Sequence, residues 1–204
     1  MGEPMSASFD FKIDPFENFL HLFDEAKKQI PKDPNAMSLA TVGQDGAPSV
    51  RIVLFKGLVR GGFSFYTNYE SQKSKEMLLN NRVGLLFYWP AIDVQVRIQG
   101  ITEKLKRAES EEYFQSRPRI SQLGAWASAQ SQTISGPEEL QKKMTAMETK
   151  YLNQPVPCPP NWGGFHVLPV GIEFWFGREG RLHDRYVYER TDIQAPWTTR
   201  MKSP

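Results

Sequence analysis

Between Ala36 and Thr67 three apolar, β-branched or aromatic runs follow one another, separated only by Gly43-Gln-Asp-Gly46 and by a Gly57 to Gly62 turn. Ala36 to Val42, Pro48 to Phe55 and Phe63 to Thr67 therefore read as an antiparallel meander. Val83 to Trp89 and Val94 to Gly100 continue it around a Pro90-Ala-Ile-Asp93 turn, and Phe165 to Phe176 and Arg181 to Glu189 add further strands. Helical spacing shows in Phe16, Phe19, Leu20, Leu22, Phe23 and Ala26, which predict an amphipathic helix from Pro15 to about Lys28. Ser71 is placed to cap a helix that fades at Asn80-Asn81, Ala108 to Ser116 is a short helix stopped by Arg117-Pro118, and Ser135-Gly-Pro-Glu138 resembles a capping box opening a polar helix to about Leu152. The fold class is mainly β with flanking α-helices: a closed or nearly closed barrel, with helices outside. Met1 to Ile13 has no periodicity and reads as a flexible N-terminal arm, leaving 14–204 as a single domain.

With 204 residues and 40% hydrophobic content the chain can bury one full core. A net charge of +2 gives no nucleic-acid surface, no apolar run spans a membrane, and the first residues lack a signal-peptide pattern, so a cytoplasmic protein is expected. One cysteine, Cys158, excludes an internal disulfide, and His21, His166 and His183 are too scattered to assert a metal site. Redox chemistry would need a borrowed cofactor.

Cations gather at particular junctions. Arg51 and Lys56 bracket a strand, and Lys73 and Lys75 stand at the start of a helix, where partial positive charge already favours an anion. Strict alternation puts Arg51 and Lys56 on opposite strand faces. Tyr113 and Arg117 lie four apart on one helix side with Ser121 just beyond, a set suited to a phosphomonoester, although each could equally cap or sit on the surface. If Arg181 to Arg185 is a strand, Arg181, His183 and Arg185 share a face and need an anion or electron-rich neighbour, unless that face is a solvated edge. Gln95, Arg97 and Gln99 share a polar strand face, Ser131 lies in a polar loop, and Trp175 either covers a planar ligand or fills core.

The ordered set RIVLFK (51–56), FYTN (65–68), SQKSKE (71–76), YFQSRPRISQLGAW (113–126), WGGF (162–165), IEFW (172–175) and RLHDR (181–185) resembles the pyridoxine/pyridoxamine 5′-phosphate oxidase family, from about Asp14 onward. That resemblance implies an FMN-binding split β-barrel acting as a homodimer, with FMN in the subunit interface. It implies that Arg51, Ile52, Val53, Leu54, Phe55, Lys56, Tyr66, Thr67, Lys73, Gln95, Gln130, Ser131, Trp175 and Arg185 bind FMN. Lys56, Tyr113, Arg117 and Ser121 would bind the substrate phosphate, with Arg181, Leu182 and His183 against the pyridine ring, Arg181 and His183 in catalytic roles. Gln72 stands where many members have Arg, and Phe176 where Gln is usual.

The implied reaction oxidises pyridoxine 5′-phosphate or pyridoxamine 5′-phosphate to pyridoxal 5′-phosphate, with oxygen reoxidising the flavin to give hydrogen peroxide. A related flavin oxidase of the phenazine-biosynthesis type, acting on a non-phosphorylated aromatic, is the nearest rival, and a non-catalytic FMN or pyridoxal-phosphate binding protein is a second. Tyr113, Arg117 and Ser121 weigh against the first, since a substrate without phosphate has no use for them.

Overall fold

The computed structural model describes residues 9–204. Helix α1 (Pro15–Gln29) is opened by Asp14, whose Oδ1 accepts the Phe16 N–H at 2.8 Å, with Pro15 in the first turn where its missing N–H is harmless. Its buried stripe centres on Phe19, whose ring lies 4.8 to 5.9 Å from those of Phe55, Phe63, Phe87 and Trp89. This aromatic cluster plugs the inside of the sheet.

The strands are β1 (Ala36–Val42), β2 (Pro48–Leu54), β3 (Leu58–Val59), β4 (Gly62–Asn68), β5 (Arg82–Trp89), β6 (Val94–Lys104), β7 (Trp162–Phe176), β8 (Asp184–Glu189) and β9 (Thr198–Met201). They pair antiparallel in the order β2-β1-β5-β6-β7-β4-β3, with β8 on β7 and β9 on β8. Beyond Leu54 the chain crosses to the other edge, where the Lys56 N–H bonds Ser64 O at 2.9 Å and the Ser64 N–H bonds Gly57 O at 3.0 Å. These bonds bring the sheet's two ends together into a barrel in a single domain, as expected. Between β6 and β7 the register shifts at Gly100, where a Cβ would lie 2.3 Å from Leu168 O, so only glycine fits the bulge without a shift.

Helix α2 (Gln72–Leu79) follows β4, while α3 (Arg107–Ser116), α4 (Arg119–Ala127) and α5 (Pro137–Lys150) lie between β6 and β7. A smaller core of Phe114, Leu123, Tyr151, Val156 and Trp162 sits beneath them. Arg117-Pro118 does stop α3, but Pro118 then serves as the N-cap of α4, a helix that the sequence reading left out. The capping pattern before α5 falls one residue later than expected, with Ser135 N–H and Oγ both on the Glu139 carboxylate at 2.9 Å.

Of the expected N-terminal arm, residues 1–8 lie outside the described part. Phe9 and Phe11 are anchored, their rings 4.8 and 5.1 Å from Tyr186. Among the described residues no helix is long and apolar enough to cross a membrane.

Candidate active site

A trough of about 710 Å³ opens among the end of β4, the start of α2 and the corner between α3 and α4. Its walls carry the cations Lys56, Lys73 and Arg117 and, among the described residues, no carboxylate. The sequence-predicted residues Ile52, Val53, Leu54, Lys56, Tyr66, Thr67, Lys73, Tyr113, Arg117, Ser121 and Gln130 all line it. Ile52 and Leu54 are exposed on β2 and give the trough an apolar edge.

Arg117 is the first residue past α3, and no hydrogen bond or carboxylate holds its guanidinium among the described residues. Its Nη1 is shut off from solvent without a hydrogen-bond partner, and the guanidinium carbon lies 4.6 Å from the Trp162 ring centre and 5.6 Å from that of Phe114. Burial pulls its pKa down, with Tyr113 and Cys158 opposing, yet a guanidinium stays charged. A buried donor with no acceptor is costly, and an anion in the trough would answer it. Tyr113 stacks on Tyr66 at 3.9 Å, and the Lys56 ammonium lies 6.0 Å from the Tyr113 ring centre. Burial, reinforced by Tyr113, pushes the Tyr66 phenol up to about 12, so Tyr66 remains a donor at neutral pH.

At the other end, the Lys73 ammonium has only neutral acceptors: Thr67 Oγ1 at 3.2 Å, Ser71 Oγ at 3.3 Å and Gln130 Oε1 at 3.0 Å. Burial and then the Arg51 charge lower its pKa. Gln130 Oε1 also accepts from Thr67 at 2.9 Å, and Ser131 Oγ accepts the first amide of α2, from Gln72, at 3.3 Å. Ser71 holds the N-cap position but bonds Ser74 with its hydroxyl, not the helix amides. Lys75, expected beside Lys73, is exposed and does not line the trough.

Two expected cofactor contacts differ. Arg51 is not a free cation: it pairs with Glu76 at 3.1 Å and bonds Thr41 Oγ1 and Leu39 O. Burial raises the Glu76 pKa, but hydrogen bonds from Thr41, Gln72, Arg51 and Ser49 outweigh it and hold the carboxyl below the usual range. Phe55, just past the end of β2, turns its side chain into the core.

The remaining predicted residues form a second patch. Gln95 on β6 faces Trp175 on β7, which faces Arg185 on β8, and the Trp175 and His183 rings are 4.5 Å apart. Trp162 and Trp175 lie at opposite ends of β7, up to ~40 Å apart by strand rise. One chain does not bring this patch to its own trough. Nor do Arg181, His183 and Arg185 share a strand face: Glu179–Arg181 is a 3₁₀ turn with Gly180 and Arg181 at φ 64 and 62°, and β8 begins only at Asp184. Arg185 is answered by Glu173 (2.9 and 3.1 Å), Asp184 by Arg178 at 2.7 Å, while Arg181 and Leu182 are exposed. His183 Nδ1 accepts the Arg178 N–H at 3.2 Å.

Sequence reasoning missed Asn68, Ser128 and Trp162 as trough residues and Glu76 as the partner of Arg51. WGGF marked Trp162 only as part of a motif; nothing local to Arg51 points to Glu76.

A pyridoxamine 5′-phosphate oxidase family model matches residues 23–151, and a pyridoxine 5′-phosphate oxidase C-terminal dimerisation region matches 162–204. Pyridoxine/pyridoxamine 5′-phosphate oxidases of Myxococcus xanthus (strain DK1622) and Bdellovibrio bacteriovorus are each 51% identical, over 94% and 96% of this chain and 92% and 100% of theirs. Among solved structures, PhzG from Burkholderia lata 383, crystallised with tetrahydrophenazine-1-carboxylic acid, is 26% identical with a TM-score of 0.88, covering 100% of this chain and 98% of its own. A pyridoxamine 5′-phosphate oxidase-related, FMN binding protein from Nostoc punctiforme PCC 73102 shares the fold, with a TM-score of 0.76 at 18% identity over 95% of this chain and 100% of its own.

Proposed function

The chain belongs to the pyridoxamine 5′-phosphate oxidase family, and from that premise we propose that its trough holds a cofactor phosphate and a substrate phosphate side by side. It is an FMN-dependent oxidase converting pyridoxine and pyridoxamine 5′-phosphates to pyridoxal 5′-phosphate. The observation that carries the site assignment is a trough walled by Lys56, Lys73 and Arg117 with, among the described residues, no carboxylate, and including a guanidinium whose buried N–H lacks an acceptor. Such a set fits phosphate dianions, so the residues suit FMN as well as the phosphorylated vitamer.

FMN, when bound, accepts the two electrons lost from the C4′ carbon of the vitamer, chemistry no side chain here supplies. Lys73, Thr67, Gln130 and Ser131 would hold its phosphate, and Tyr66, Ile52, Val53 and Leu54 would flank its body. At the other end Arg117, Tyr113, Ser121 and Lys56 would grip the substrate phosphate. Anchoring there orients the reacting carbon without touching it. Arg51 acts at one remove, fixed by Glu76 and adding positive potential near Lys73.

Gln95, Trp175, Arg181, Leu182, His183 and Arg185 lie too far along β7 to serve the same chain's trough, so in this reading they come from a second copy in a homodimer. The dimerisation-region match over 162–204, which contains five of these six residues, supports it. Arg181 and His183 would then orient the pyridine ring. Oxygen is the proposed final acceptor. The test is direct: purified protein should show FMN absorbance and release peroxide on addition of pyridoxine or pyridoxamine 5′-phosphate. Flavin bands without peroxide would reject the oxidase reading and leave a binding protein.

A further inference from the structure

Arg117 poses a problem of support: an ordinary surface arginine is held by a carboxylate, but a carboxylate here would cancel the charge a phosphate needs. Trp162 resolves it. Its indole is buried, lies 4.6 Å from the guanidinium carbon, and is nearly parallel to both Tyr66 (5.5 Å, 12°) and Tyr113 (6.3 Å, 5°), which themselves stack at 3.9 Å. An aromatic face attracts the guanidinium through its quadrupole and uses none of its N–H donors. The platform is itself fixed: Phe114 meets it edge-on at 5.1 Å, and the Trp162 carbonyl accepts from Arg107 at 3.1 Å. Gly164, two residues on, makes room for the stack. A Cβ at Gly164 would lie 2.8 Å from Tyr66 Cε1, and one at Gly163 would meet the neighbouring Tyr69 hydroxyl, outside the stack, at 2.1 Å.

We infer that Trp162 is a positioning residue for phosphate recognition, holding Arg117 by its ring face without using up any guanidinium donor, and setting the planes of Tyr66 and Tyr113. This rests on the oxidase reading above. Arg117 and Tyr113 touch the phosphate; Trp162 acts through them.

The test compares kcat/KM for pyridoxamine 5′-phosphate with that for pyridoxamine in the FMN-loaded Trp162→Phe and Trp162→Leu proteins. The ratio should fall about threefold with Phe and roughly tenfold to thirtyfold with Leu, the change lying in KM. Calorimetric titration with pyridoxal 5′-phosphate against pyridoxal should give the same order without turnover. If Trp162→Leu does not fold, the threefold fall in Trp162→Phe decides. An unchanged ratio, or equal losses on both members of the pair, overturns the inference by making Trp162 plain core. A wild-type protein that oxidises neither vitamer phosphate rejects the oxidase reading instead, and the calorimetric ratio then judges Trp162 alone.

Discussion

Replacing Arg117 with Met should separate folding from recognition, because recognition depends on this side chain's charge far more than folding does. Met keeps an unbranched, polarizable stem of similar reach while removing the charge. In the ligand-free protein the substitution deletes a buried N–H that has no acceptor, worth about 1–3 kcal/mol, and forfeits the attraction to Trp162, worth about 0.5–2 kcal/mol. The balance runs from a loss of about 1 kcal/mol to a gain of about 2.5 kcal/mol. For a chain of this size each kcal/mol moves Tm by roughly 2–4 °C, so calorimetry of the ligand-free variant should show Tm between ~4 °C lower and ~10 °C higher. Substrate tells a different story. Loss of charge-assisted bonds to the phosphate, about 1.5–3 kcal/mol, should raise KM roughly tenfold to hundredfold while FMN stays bound. A Tm lowered by more than ~5 °C together with a KM within twofold of wild type would refute the reasoning, showing Arg117 to be a structural cation.

Lys73→Met should weaken FMN binding by roughly tenfold to hundredfold in a fluorescence titration. Because burial and Arg51 lower the Lys73 pKa, wild-type FMN affinity should also begin to fall at a pH below the ordinary lysine range, a dependence absent from the variant. Glu76, with its folded pKa depressed, contributes stability that is present above the ordinary glutamate value of ~4.3 and is lost as pH falls through the folded value. Denaturant titrations of Glu76→Gln across that acid window should therefore give a flatter curve than wild type, and a lower plateau at neutral pH. Gly100→Ala should cost at least ~1–3 kcal/mol by urea unfolding, since its Cβ meets backbone that cannot swing aside.

Much of this architecture was legible from local pattern. The strand from Ala36 to Val42 has the bounds that its alternation indicates, and α1 differs from its periodic stretch by a residue at its end. Where the reading failed, a longer-range or backbone cause is visible. Pro118 looked like a terminator because proline cannot continue a helix, yet the same property suits it to begin the next one. The alternation assumed for Arg181 to Arg185 required extended backbone, whereas Gly180 and Arg181 take left-handed angles that shift the strand start to Asp184. Arg51 looked available because its counter-charge, Glu76, stands on another element. The gathering of Lys56, Lys73 and Arg117 was foreseeable as charge clusters. That Gln95, Trp175 and Arg185 sit together at the end of β7 away from the trough was not, since no single segment shows the register in which three strands pair.

Gln130 has one further consequence. Its amide oxygen accepts from both Lys73 and Thr67, the donors proposed above for the cofactor phosphate, and so acts there as an uncharged internal surrogate. An uncharged surrogate yields readily to a dianion, and turning this one amide to offer its NH2 instead would leave the surrounding helix and strand intact. On that assignment, cofactor loading would ask one side chain to turn and nothing already folded to reopen.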